Sequence, residues 1–154
     1  LALIATTPAF GGRDDSFKQQ FLADRLKPLD NGLTLADLAP KFVPQIVGSI
    51  ASDAVIQAAT QTMSRVPDES YRAILRCLVT FNRYADTAKI TQPSIVIAGS
   101  EDTNAPAPTM QKMASKLPNA QFHEIQGAGH LVNMEAANTC NQRLKTFYKE
   151  QHKH

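Results

Sequence analysis

The sequence predicts an α/β fold, with an incomplete parallel sheet of about three strands, flanking helices and an all-helical insertion. Three observations carry this. Short apolar or β-branched runs at residues 1–6 and 94–98, and the stretch Ala120-Gln-Phe-His-Glu-Ile125, read as strands. The segments after the second and third runs space their apolar residues at a helical period. The long stretch between the first and second is helical throughout. The resulting order of strand, helical block, strand, helix, strand, helix requires parallel crossovers.

Residues 1–6 form a nearly continuous apolar run bounded by Thr7-Pro8 and Gly11-Gly12, the pattern of a strand buried on both faces. Asp14, Asp15 or Ser16 caps a helix carrying Phe17, Phe21, Leu22 and Leu26, which ends at Pro28, and Asp30-Asn31-Gly32 turns the chain. Residues 33–38 give a short helix stopped by Pro40. Ser52 or Asp53 caps another, marked by Val55, Ala58, Ala59 and Met63. After Pro67 and Asp68, the residues Tyr71, Ile74, Leu75, Leu78 and Phe81 make one apolar stripe on a third helix. Pro93 then introduces the second strand, which stops at Gly99. Met110, Met113, Ala114 and Leu117 supply a helical face between Pro106 and Pro118. The third strand follows, and Ala137, Cys140, Leu144, Phe147 and Tyr148 place a final helix against the sheet. Residues 151–154 read as a polar tail, where His152 and His154 offer only a weak case for a metal.

Composition narrows the function classes. A length of 154 residues with 43% apolar and 19% charged residues suits one domain with a real core. The net charge of +2 comes from 16 basic and 14 acidic residues spread along the chain, so no basic stripe exists to track nucleic acid. Cys77 and Cys140 fall at apolar helix positions, which suits buried free thiols rather than a disulfide or a zinc site. No run approaches the roughly 20 apolar residues of a membrane helix, and a cytoplasmic location is expected. The first apolar run lacks the basic segment of a signal peptide and the chain does not begin with Met. Both features fit a chain entered at a buried strand of a longer protein, or a sequence without its leader.

Chemistry is expected at the carboxyl ends of the last two strands, where open α/β sheets bind ligands. Gly99-Ser-Glu-Asp102 follows one strand, and Gly127-Ala-Gly-His130-Leu131 follows the other. A helix folding back across the sheet can bring Asp102 and His130 together. An aspartate bonded to one ring nitrogen fixes the tautomer and stabilises the imidazolium of a general base. Glycines beside His130 allow the sharp turn that aims the ring. Taken singly, Asp102 reads equally as a turn residue or helix cap, and His130 equally as structural. Glu101 reads as a solvated neighbour, and His123 as a half-exposed strand residue. Tyr71 and Phe81 are candidates for a substrate pocket, as is Leu131, with core packing as the alternative for the first two.

The stretch from Ile90 to Pro106, with Pro93 before the strand, Gly99 ending it and Asp102 three residues later, resembles the seventh-strand signature of α/β-hydrolases, whose aspartate is the triad acid. Residues 125–135, including Asn133 and Glu135, are similar to that family's histidine loop. Residues 1–8 resemble its sixth strand. The resemblance implies a C-terminal part of the fold: a core strand and loop at residues 1–12, a helical cap at 13–89, and core strands and helices at 90–150. Residues 67–86 are similar to caps of the 3-oxoadipate enol-lactonase and small-ester hydrolase branch. The implied chemistry is hydrolysis of an ester or lactone through an acyl-enzyme, with no metal or organic cofactor.

One departure governs the functional expectation. The family's nucleophile elbow, Gly-x-Ser-x-Gly, matches none of the eight serines, and the oxyanion segment has no counterpart. The expectation is a chain that supplies the acid and base, is inactive by itself, and self-associates through an apolar sheet edge or helix faces. Two alternatives stand beside it. The same fold serves dehalogenases, carbon–carbon hydrolases and cofactor-free haloperoxidases, and a non-enzymatic α/β binding module fits a gene that starts near Leu1.

Overall fold

The computed structural model of the protein describes residues 1–11 and 15–152. Gly12, the cap candidate Asp14 and the tail residue His154 lie outside the described residues. Backbone contacts divide the chain into two compact units: residues 1–7, 46–55 and 85–154 in one, and 8–45 with 56–84 in the other. Within the block 13–89, residues 46–55 and 85–89 cluster with the sheet.

The sheet unit holds β1 (Ala2–Ile4), β2 (Ser94–Gly99) and β3 (Ala120–Ile125), all parallel, in the order β1-β2-β3. Every residue of β2 is buried. Its side chains alternate between two clusters, because strand side chains point to opposite faces with a period of two. Val96 and Ala98 pack with Met110, Met113 and Ala114 of α5 (Ala107–Ala114) and with Leu117. Ile95 and Ile97 pack with Val132 of α6 (Val132–Glu135) and with Cys140 and Phe147 of α7 (Ala137–Gln151). Two covered faces explain the unbroken Ile-Val-Ile run, each such side chain adding about 1.5–3 kcal/mol on full burial. The first strand differs from expectation. It is three residues long and only half-buried, as an edge strand with one neighbour.

The second unit contains α1 (Asp15–Asp30), α2 (Leu35–Phe42), the greater part of α3 (Asp53–Ser64) and α4 (Asp68–Thr80). Its core joins Leu29, Leu35 and Leu38, with Phe42, Met63, Val66 and Tyr71 packed against them. The Arg25 guanidinium lies 4.4 Å from the Phe42 ring centroid, and Arg72 pairs with Asp30 at 2.6 Å.

Several sequence expectations change here. Pro28 and Pro40 lie inside α1 and α2 rather than ending them. Each gives up one backbone bond in the last turn, and the bonds from Gly32 N–H to Leu29 and from Leu33 N–H to Pro28 close α1 beyond the proline. An unanticipated capping box opens α2, with Thr34 and Asp37 bonding each other's backbone N–H. The stripe on α4 is narrower than its spacing suggests. Leu75 is buried, but Ile74 is 58% exposed and Phe81 42%. Cys77 is also exposed, so only Cys140 is a buried thiol.

Candidate active site

Asp102 follows β2 in the loop that leads to α5. Its side chain is fully buried and its two oxygens have separate tasks. Oδ1 accepts the N–H groups of Asn104 at 2.8 Å and Ala105 at 2.9 Å, which folds the loop around the carboxylate. Oδ2 lies 2.9 Å from Nδ1 of His130. The turn role and the histidine role are thus held by one side chain. Burial works to raise the Asp102 carboxyl, but the bond and charge of His130 and the two backbone donors outweigh it and hold the group below its ordinary value.

His130 follows β3, across 28 positions of sequence from Asp102. Its ring is 32% exposed, and among the described residues only Nδ1 of the ring is hydrogen-bonded. This leaves Nε2 without a hydrogen-bond partner among the described residues. The two glycines of the loop before it have different tasks. The positive φ, +76°, belongs to Gly127, whereas Gly129 is needed for space. A Cβ on Gly129 would lie 2.5 Å from the Gly48 nitrogen and 2.6 Å from the Ile46 carbonyl oxygen, closer than a side chain can approach backbone.

The close approach is made by a segment that lies, in sequence, inside the helical block. Residues 46–50 run against both loops of the site. The His130 N–H donates to the Ile46 carbonyl at 2.7 Å and the Ile50 N–H to that of Gly127 at 3.2 Å. Two carboxylates grip the same segment. Glu101 accepts the Ser49 N–H and hydroxyl, both at 2.7 Å, and Glu135 accepts the Gly48 N–H at 2.7 Å. Glu101 is exposed yet bonded, so it is more than a solvated neighbour. The Ser49 bonds, hydroxyl first, hold its carboxyl below the ordinary range. Glu135 also accepts the N–H groups of Gly129 at 2.9 Å and Leu131 at 3.0 Å. Glu135 had a sequence signal only as part of the histidine-loop resemblance. Glu101 lay inside the seventh-strand resemblance but its bond to Ser49 had no sequence signal, because the two lie 52 positions apart.

The remaining candidates separate. Leu131 adjoins His130 and is half-buried. Tyr71 belongs to the helical unit, packed against Leu29, Leu35 and Leu38, where burial raises its phenol and Arg25 partly offsets the rise. Phe81 is in the same unit, exposed at the end of α4. His123 is half-buried on β3, and desolvation, aided by Arg143, lowers its imidazole below the ordinary value. Among the described residues no cluster of three His, Cys, Asp or Glu side chains is arranged to hold a metal, and no helix is long and apolar enough to cross a membrane.

Known proteins share this architecture. A thermophilic esterase from Thermogutta terrifontis superposes with a TM-score of 0.81 at 22% identity, over 99% of this chain and 56% of that one. The enol-lactonase from Burkholderia xenovorans LB400 also gives 0.81, at 19% identity, over 96% of this chain and 55% of that one. The chain has the α/β-hydrolase fold. No protein-family model matches it. Among curated proteins, RutD of Caulobacter vibrioides (strain NA1000 / CB15N), named a carbamate hydrolase, is 30% identical over 53% of this chain and 30% of its own length. The pimeloyl-(acyl-carrier protein) methyl ester esterase of Xanthomonas campestris pv. campestris (strain B100) is 27% identical over 96% of this chain and 60% of its own length. The α/β-hydrolase fold is thus represented here by a chain that spans less than two thirds of the relatives it matches.

Proposed function

We propose that this chain supplies the acid and base of a Ser-His-Asp triad in an α/β-hydrolase that cleaves a carboxylic ester or lactone. The observation that carries the reading is the 2.9 Å contact between a buried Asp102 oxygen and Nδ1 of a partly exposed His130. Asp102 holds the imidazole with its proton on Nδ1, so that Nε2 takes the proton of an attacking hydroxyl and later returns it to the leaving group. The resulting imidazolium is stabilised by the adjacent carboxylate, which stays ionised because its own proton affinity is held down. The nucleophile and oxyanion donors come from another part of the protein, since no serine here has the elbow sequence and the hydroxyl of Ser49 is bonded to Glu101. The esterase, enol-lactonase and carbamate hydrolase names among its relatives support acyl transfer, while bromoperoxidases among the similar structures keep the cofactor-free haloperoxidase reading as the alternative.

The test compares the chain alone with a longer protein containing it. The chain alone is expected to turn over p-nitrophenyl acetate no faster than its His130→Ala variant. The longer protein is expected to be active and to lose about 10⁴-fold in kcat on Asp102→Asn, through the wrong tautomer. Turnover by the isolated chain that depends on His130 would overturn the missing-nucleophile reading. Full activity of the Asp102→Asn enzyme would overturn the triad.

A further inference from the structure

Three consecutive backbone N–H groups, those of Gly129, His130 and Leu131, are each tied down, the outer two by Glu135 and the middle one by the Ile46 carbonyl. The same Glu135 oxygen that binds Gly129 also binds Gly48, two residues from Ile46. One part-buried carboxylate therefore fastens the backbone on both sides of the histidine and fastens the segment that holds the histidine's own N–H.

We infer that Glu135 is a positioning residue for His130, locking the imidazole in the orientation that meets Asp102. The inference rests on the acid–base reading of that pair. The physical reason is the charge on the clamp. Hydrogen bonds from neutral donors to a carboxylate are shorter and about twice as strong as neutral pairs, and three on one side chain leave the loop a single arrangement. With the backbone fixed on both sides of residue 130, the ring direction depends on the side-chain torsions alone, and the Nδ1 contact to Asp102 selects among those. Without the clamp, the Gly129 and Leu131 amides lose their partner and the loop keeps only its remaining bonds, among them Gly127 N–H to Ser100 Oγ and His130 N–H to Ile46, so the ring samples directions in which Asp102 chooses its tautomer less strictly.

The ring nitrogen shifts of His130, read by NMR on the neutral form in the 154-residue chain, test this directly. The native chain is expected to hold the Nδ1–H tautomer, with slow exchange of the Gly129 and Leu131 amides. Glu135→Ala is expected to lower the ratio of Nδ1–H to Nε2–H about tenfold, the scale of one hydrogen bond to a charged group. Glu135→Gln, which keeps one acceptor oxygen and the side-chain volume, should shift it in the same direction by less. A purely structural role lowers the melting temperature and leaves the tautomer ratio of the folded protein unchanged. That result, or fast exchange of both amides in the native chain, overturns the inference. If the alanine variant fails to fold, the glutamine variant and the native amide exchange decide. Asp102→Asn serves as the separate control. If it leaves the tautomer unchanged, the acid–base reading fails whatever Glu135 does, and if only the Glu135 variants are silent, the positioning role alone falls.

Discussion

Asp102 shows how one buried side chain satisfies two demands that the sequence presented as alternatives. Its Oδ1 builds the turn and its Oδ2 meets His130, so every bond acts on the ionised form. The stability consequence has a definite sign. A carboxyl held below its ordinary value in the folded chain stabilises the fold fully above its unfolded value, and that contribution disappears as pH falls through the lowered one. The stability gap between the native chain and Asp102→Asn, from urea midpoints, is therefore expected to be largest near neutrality and to shrink below about pH 4. A gap that stays constant down to pH 2 would contradict the assignment. Both residues were legible in the sequence because each sits where a strand pattern ends. Glu101 and Ser49 were not, because a solvent-facing carboxylate leaves no periodic trace, and its partner is identified only once the loops meet.

Among the elements, α4 separates what a spacing pattern says from what packing does with it. Tyr71, Ile74, Leu75, Leu78 and Phe81 all fit a helical stripe, yet Leu75 is 5% exposed and Ile74 58%. Neighbours at i and i+4, here Tyr71 and Leu75, lie one above the other, whereas adjacent residues are about 100° apart around the helix. Leu75→Ala is expected to cost about 2–5 kcal/mol, and Ile74→Ala less than about 0.5 kcal/mol. Denaturant midpoints at unchanged slope would read both, and equal losses would mean that the whole stripe is core. The prolines in α1 and α2 make a similar point, since each forgoes one backbone bond and the helix nevertheless continues past it.

At the largest scale, among the described residues the sheet has β1 as an edge, paired with β2 on one side. An apolar edge strand offers an unfilled row of backbone donors and acceptors, and self-association of the chain through it, or through helix faces, is the expected behaviour. Sedimentation should show mass above that of one chain and rising with concentration. A monodisperse monomer at high concentration would count against it. The division into two units also redraws the sequence partition, because residues 46–55, helical or turn-like by composition, cluster with the sheet and supply the segment gripped by Glu101 and Glu135.

What the sequence determined by itself was the α/β order and the extent of β2 and β3, which follow from local period, and it offered Asp102 and His130 as candidates because each follows the end of a strand. The tertiary structure alone decided that β1 is half-buried, that α4 buries Leu75 and not Ile74, and that Gly48 and Ser49 meet the two site loops. The reason is physical. Periodicity is set by neighbours within a turn or two, whereas a carboxylate that closes three amides across 87 positions becomes visible only when the chain has brought them together.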